Sequence, residues 1–332
     1  MKCIGCREGG MDMHAIPAGL AAMVMAAMVP LCLLQIPEEK PQEQTLLIIQ
    51  QPQQSREVRL MTEHGVETWK LDDYLTGVVM AEMPLSFPME ALKAQAVAAR
   101  TYTCRKLEQS KHKEFDLCTD PSCCQGWISR EQMEEKLGSG ELCDKAAQAV
   151  RETAGLVLTY EDKLIDAVYF SCSGGQTEAA AAVWGTDVPY LQSVVSEGEE
   201  QASVYTSEVR VKAEEFRRVL VSENSEVMLG GDPVFWVGDV RYTPSGSVEC
   251  IVLGGREFTG TALRRLFGLR STLFRLTVTD TEFVFSVRGN GHRVGLSQYG
   301  AAAMADKGCG FEEILLHYYQ GVAIQKTSRL NP

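Results

Sequence analysis

The sequence is short of positive charge. Against 44 Asp and Glu it carries 32 Lys and Arg, a net charge of −12, and nowhere do the basic residues cluster as they do in proteins that track a phosphate backbone. That argues against nucleic acid as a partner. An HExxH-like or open three-ligand metal pattern is also missing, so a zinc hydrolase has little framework here. Eleven cysteines are present, but an odd number at irregular spacing does not make the paired framework of a small disulfide-rich domain. Whether they are thiols or disulfides stays open at this level.

What is present is enough apolar material for one large domain or two smaller ones, 332 residues with 45% hydrophobic content. From Ala15 to Ile36 there is no charged side chain, a run long enough to span a bilayer as a tilted helix. No small-x-small cleavage site follows it, and Leu31 is too large for the residue before a lipidated cysteine at Cys32. The expectation is a retained transmembrane anchor at 15–36 behind a cytoplasmic N-terminus at 1–14, with Lys2 and Arg7 inside and the bulk of the chain outside the cytoplasm. Residues 37–56 are rich in Pro, Gln and Glu and read as a linker.

The stretch Leu71 to Lys106 places a carboxylate where one is costly. Leu75, Val78 and Val79 fall at helical spacing, and the next position on that face is Glu82. Pro84 ends the helix just beyond. Apolar surroundings and the negative end of the helix dipole both favour the protonated form, as a general acid working near neutrality requires. Two readings stand side by side: Glu82 as a catalytic acid, or Glu82 in a structural ion pair with a base such as Arg100. The helix that follows, from about Met89, is dense in alanine, with Gln95 and Arg100 standing out as polar groups that either line a groove or are simply solvated.

Further on, Cys118, Cys123 and Cys124 put three soft ligands within seven residues, with His112 the nearest source of a fourth. Small buried thiols are the alternative. Gly155 opens a hairpin, LVLTY, EDK and LIDAVYFS, that delivers the chain into the Ser/Gly-rich turn SCSGGQTEAAAAVW. Trp184 there either stacks on a ligand or fills the core. Residues 193–280 read as a variable middle with a helix from about Lys212, several strands and a short basic helix. In NGHRVGLSQYG, glycines bracket His292, and Ser297 is placed to cap the helix beginning at Gln298.

The phrases YLTGVVMAEMP with EALKAQAVAARTY, and GNGHRVGLSQYGAAAMADKG with ILLHYYQG, resemble the two signatures of the stage II sporulation protein D family, also called the sporulation D / amidase-enhancer domain. The resemblance covers roughly Val58 to Val322. It implies an α+β fold of mixed sheets and helices at 57–325, in which both signatures form one glycan-binding groove with Glu82 at its floor. By the same resemblance Ser171, Ser173, Gly174 and Thr177 hold sugar hydroxyls, and His292, Ser297, Gln298 and Tyr299 belong to the groove. Arg293 stands where the family pattern has Gly, which would bring a cation into it. Some family members bind zinc through a Cys and a His five residues on; Cys118 and Cys123 match those positions, so Cys replaces His, and Cys124 is a further candidate.

The implied activity is lytic transglycosylation of peptidoglycan between N-acetylmuramic acid (MurNAc) and N-acetylglucosamine (GlcNAc), at a septal or engulfing membrane during sporulation. The implied partners are a cell-wall amidase and the membrane machinery of engulfment, and the chemistry needs no cofactor. A lone acid suffices for it, although Asp72, Asp73 and Glu90 are nearby in the chain. The amidase-enhancer members imply the rival reading, a glycan- or amidase-binding module that catalyses nothing.

Overall fold

The structure, a computed structural model, describes residues 56–109 and 112–329. The expected anchor at 15–36 and nearly all of the linker at 37–56 lie outside the described residues. Among the described residues no helix is long and apolar enough to cross a membrane.

β1 (Glu57–Thr62) and β2 (Gly65–Lys70) form an antiparallel hairpin that leads without a break into α1 (Leu71–Glu82). Asp72 and Asp73 in its first turn suit the positive end of the helix dipole, and Tyr74, Leu75, Val78 and Val79 are its buried face. Met83 turns extended ahead of Pro84 and stops the helix at Glu82. α2 (Met89–Gln109) buries Ala91, Ala94, Ala96, Ala98 and Ala99, so neighbouring helices approach its backbone closely.

β3 (Leu117–Cys118) lies parallel beside β1. α3 (Arg130–Leu137) has almost no apolar face, with Met133 its buried residue; it is defined by a Ser129/Gln132 capping box and by Gly138 at φ +72°. α4 (Glu141–Glu152) then packs on α1 and α2. The expected long hairpin strand at 164–171 is broken in two: β4 (Leu156–Tyr160) pairs with the short β5 (Lys163–Leu164), and β6 (Tyr169–Phe170) leaves for another partner. Arg105 explains the break, since its guanidinium takes Asp166 and the Leu164 carbonyl at 2.7 and 2.8 Å.

After α5 (Ala180–Trp184), the middle of the chain builds a core of its own. β7 (Thr206–Lys212) and α6 (Ala213–Glu223) are followed by a 3-10 turn at Pro233–Trp236, then β8 (Val237–Tyr242), β9 (Val248–Leu253), β10 (Arg256–Thr259) and α7 (Gly260–Phe267). β11 (Phe274–Val278) and β12 (Glu282–Arg288) complete it, with sheets ordered β10-β9-β8 and β11-β12-β7. Phe216 stacks on Phe283 at 3.7 Å at its centre, among Phe285, Trp236 and Leu263.

The chain then returns to the first core. β13 (Leu296–Ser297) pairs parallel with β6, placing Leu296 opposite Tyr169 and Ser297 opposite Phe170. This short pairing sets the second signature beside the strand that leads into the Ser/Gly-rich turn. α8 (Gln298–Asp306) and α9 (Phe311–Tyr318) pack against α2, and β14 (Ala323–Lys326) closes the sheet β14-β4-β5.

Arg293 corrects one expectation. Its backbone is left-handed, φ +67°, the conformation for which glycine is the usual residue. Its side chain does not enter a groove but is fully buried, donating to the carbonyls of Ser173 and Gln176, each at 2.7 Å, to Ser247 Oγ, and to Glu178 at 3.2 Å. Burial draws its pKa down to about 10, so the guanidinium stays charged near neutrality. Glu178 also accepts from Thr243 at 2.7 Å, so this ion pair ties the 173–178 turn to the β8–β9 connection. The bonds it makes offset the backbone strain.

Candidate active site

Glu82 ends α1 at the edge of a cleft of about 570 Å³ whose walls include Met133 and Leu137 of α3, Phe170 of β6 and Ser171 after it, and Gln298 and Tyr299 of α8. Its carboxylate is half-buried and accepts the Gly126 amide at 2.7 Å. Burial raises its pKa, against the opposing pull of the Gly126 amide and the nearby Gln298 side chain. Gln298 Nε2 is itself buried beside the acid, with no other hydrogen-bond partner among the described residues. Tyr299 is fixed by an edge-to-face contact with Phe87 at 4.9 Å and by its amide bond to the Ser171 carbonyl at 3.0 Å.

Behind this wall a buried carboxylate collects donors. Glu199 Oε2 accepts the Ser173 amide (2.8 Å), the Ser173 hydroxyl (2.7 Å) and the Gly174 amide (2.9 Å), while Oε1 accepts from Ser196 and Ser297. Ser297 in turn caps α8 through the Gly300 amide. Gly300 must lack a side chain, because a Cβ there would lie 2.0 Å from the Tyr318 hydroxyl. Ser173, Gly174 and Ser297 thus spend their polar groups inward, and Thr177 exchanges bonds with Val194 at 2.8 Å. Of the turn residues expected to meet sugar, the structure leaves Ser171 at the cleft. Nothing in the sequence singled out Glu199, which stands in the acidic loop SEGEEQ without periodicity.

Three other expected groove residues lie elsewhere. Arg100 is 1% exposed and donates to the carbonyls of Thr153 (2.7 Å) and Val150 (3.0 Å) at the end of α4, and to Asp72 at 3.4 Å. It therefore neither lines the cleft nor pairs with Glu82. Gln95 is fully buried in the packing face of α2. His292 sits between Phe170 and Trp184, its ring 5.5 Å from each. Burial lowers its pKa to about 4. With Nε2 3.0 Å from the Tyr169 carbonyl and Nδ1 accepting the Val294 amide at 3.2 Å, it is a neutral, fixed ring and no acid or base near neutrality.

The cysteine loop meets the acid from the other side. His112, Cys118, Cys123 and Cys124 bring their ligand atoms within 4.8 Å of one another. Three sulfurs and one imidazole nitrogen are a donor set that a tetrahedral zinc ion takes. The chain leaving this cluster is held by Gln125, buried and bonded to Thr103 (2.8 Å) and Tyr169 (2.9 Å), and the next residue is Gly126, whose amide holds Glu82.

The family model described as Stage II sporulation protein (SpoIID) matches residues 61–160. Stage II sporulation protein D of Bacillus amyloliquefaciens is 37% identical over 271 residues, 80% of this chain and 77% of the relative. The chain belongs to the stage II sporulation protein D family. The Bacillus subtilis (strain 168) protein of the same name is 35% identical over 79% of this chain and 76% of its own. The amidase enhancer of Bacillus subtilis (strain 168) is 27% identical over 75% of this chain and 40% of its own length. The matched family segment holds Glu82 and the cysteine loop.

The raised pKa of Glu82 has a thermodynamic consequence. In the unfolded chain the carboxyl ionises at a lower pH, so the folded state is favoured by this group at low pH and loses that contribution as pH rises through the folded pKa. Glu82→Gln removes the cost of the buried charge. Its melting temperature relative to the unsubstituted protein is expected to be higher at pH 8 than at pH 4; an equal difference at both would contradict the raised pKa.

Proposed function

We propose that the protein is a peptidoglycan lytic transglycosylase that cleaves MurNAc–GlcNAc bonds of glycan strands and leaves 1,6-anhydro-MurNAc ends, acting in septal wall remodelling during sporulation. The observation that carries this reading is the composition of the cleft: Glu82 is the one carboxylate among its described lining residues. A glycosidase that activates water normally places two carboxylates across the bond. The carboxylates nearby in the chain are engaged elsewhere, Asp72 with Arg100 and Glu90 with Lys93 and the Phe311 amide, while Asp73 is exposed.

In the reaction so read, protonated Glu82 gives its proton to the glycosidic oxygen as the bond to the anomeric carbon of MurNAc breaks. The resulting carboxylate then takes the proton of the MurNAc 6-hydroxyl, whose oxygen closes on the anomeric carbon. Glu82 ends protonated, ready for another turn, and no water is consumed. The step uses Glu82 and the substrate's own hydroxyl, with Gln298 beside the acid and the cleft's apolar walls placing the sugar. Lys136, on the same wall, suits the lactyl carboxylate that an amidase exposes when it removes a stem peptide, which favours peptide-stripped strands. Residues 15–36 would hold this domain at the outer face of the septal or engulfing membrane, beside the amidase and the engulfment machinery. Recovery of the full chain as a soluble cytoplasmic protein would contradict that placement.

A zinc ion held by His112, Cys118, Cys123 and Cys124 would act structurally, fixing the loop that ends in Gly126 and with it the orientation of Glu82. Purified protein is expected to carry about one zinc per chain, and chelation to lower its melting temperature; metal-free protein of unchanged stability would contradict the assignment.

Glu82→Gln preserves shape and removes the transferable proton. Cleavage of peptide-stripped strands, followed by chromatography of strand length, is expected to fall about 10²- to 10⁴-fold with strand binding retained. In the unsubstituted protein the rate falls as pH rises through the Glu82 pKa. Full activity in the variant removes Glu82 as the acid. Binding without cleavage by the unsubstituted protein leaves a non-catalytic module, the alternative to which the relative named amidase enhancer lends support.

A further inference from the structure

A second cleft, of about 450 Å³, lies between the β1–β2 hairpin and the first turn of α3, with Trp127 in its wall. Trp127 is the residue after Gly126, so the chain that holds the acid also forms this site. It is seated against α1 because Gly77 has no side chain: a Cβ there would come within 2.2 Å of the Trp127 Nε1. Trp69 meets it edge to face, with ring centres 5.1 Å apart at 67°, which gives the cleft an aromatic corner.

The remaining lining is hydroxyls, an amide, a histidine and carboxylates, with no Lys or Arg among the described lining residues. The carboxylates repel an anion. They are also already engaged, which weakens the case for a cation: Glu67 accepts from Thr62 (3.0 Å) and Trp69 (3.1 Å), and Glu63 lies beside His64 and Gln132. Glu131 sits in the first turn of α3, where backbone amides favour its charge. An uncharged ring with an apolar face and many hydroxyl and amide groups matches what is left.

α3 joins this cleft to the first. Gln132 in its first turn lines the second cleft, whereas Met133, Lys136 and Leu137 line the Glu82 cleft. Gln132 and Lys136 stand four residues apart on one face of the helix, a separation that an extended polymer lying along that face would span.

We propose that the Trp69/Trp127 cleft is a second saccharide subsite, which takes an uncharged GlcNAc unit of the same strand whose bond lies at Glu82. This rests on the glycan reading of the first cleft. It makes the protein select long strands over short ones, because a fragment of two units fills one cleft and gains nothing from the other.

The test uses the full chain carrying Glu82→Gln, titrated calorimetrically with GlcNAc oligomers of two and six units and with peptide-stripped glycan strands. Adding Trp69→Ala is expected to weaken hexamer and strand binding about tenfold, the loss of one aromatic platform, and dimer binding less than twofold. His64→Ala, at an exposed lining position that does not threaten the fold, is expected to act in the same direction by two- to threefold. If strands bind the Glu82→Gln protein but neither substitution changes affinity, the subsite is overturned while the glycan reading stands. Binding of Nα-acetyl-lysine methylamide that Trp69→Ala abolishes, with hexamer binding untouched, makes it a cation site and also overturns the proposal. Absence of any glycan binding by the Glu82→Gln protein overturns both readings.

Discussion

A buried carboxylate that must be satisfied organises this fold. Glu199 is 1% exposed, and a polar group so placed is tolerated only when hydrogen-bond partners surround it. It draws them from the Ser173–Gly174 turn, from Ser196 and from Ser297, and thereby fixes the N-terminus of α8 against the end of β6. The cleft wall follows from that junction: Ser171 lies two residues before Ser173, and Gln298 and Tyr299 immediately follow Ser297. The space around Glu199 is so limited that Gly300 admits no side chain. Arg293 and Glu178 extend the same principle outward, one buried charge offsetting another and joining the second core to the turn.

The acid itself is placed by elements that owe nothing to Glu199. α1 delivers Glu82 because Pro84 stops the helix there, and the cysteine loop meets it through Gly126. Two separate scaffolds thus face each other across one cleft, one built on hydrogen bonds to a carboxylate and the other on a cluster of metal-type donors. Burial keeps the pKa of Glu82 high, and the Gly126 amide limits the rise while fixing the direction of the carboxyl group. A group poised in this way can give a proton and take one back, which is what a reaction with a single catalytic carboxylate demands.

Features governed by local chemistry were legible in the sequence. The stop at Pro84, the alanine face of α2 and the Ser297 cap follow from residue type and spacing, and the strands of the middle region follow from their apolar runs. The α+β class came with the family resemblance. Features governed by long-range pairing were not legible. Polar residues of the Ser/Gly-rich turn suggested a groove, yet Ser173, Gly174 and Thr177 face inward, because their partners, Glu199 and Val194, come from a later loop that no local pattern points to. Arg100 looked like a partner for Glu82 on a helical face and instead caps α4, whose register against α2 no local pattern encodes. α3 escaped notice because its stability comes from its caps and not from an apolar stripe.

In the proposed reaction one carboxylate cleaves the strand by using the substrate's own hydroxyl. Mass spectrometry of the products formed from peptide-stripped glycan strands tests it most directly. Fragments ending in 1,6-anhydro-MurNAc, lighter by one water than hydrolytic products, are expected. Reducing ends in their place would require a second carboxylate that activates water, and intact strands would leave binding without catalysis; either result would contradict it.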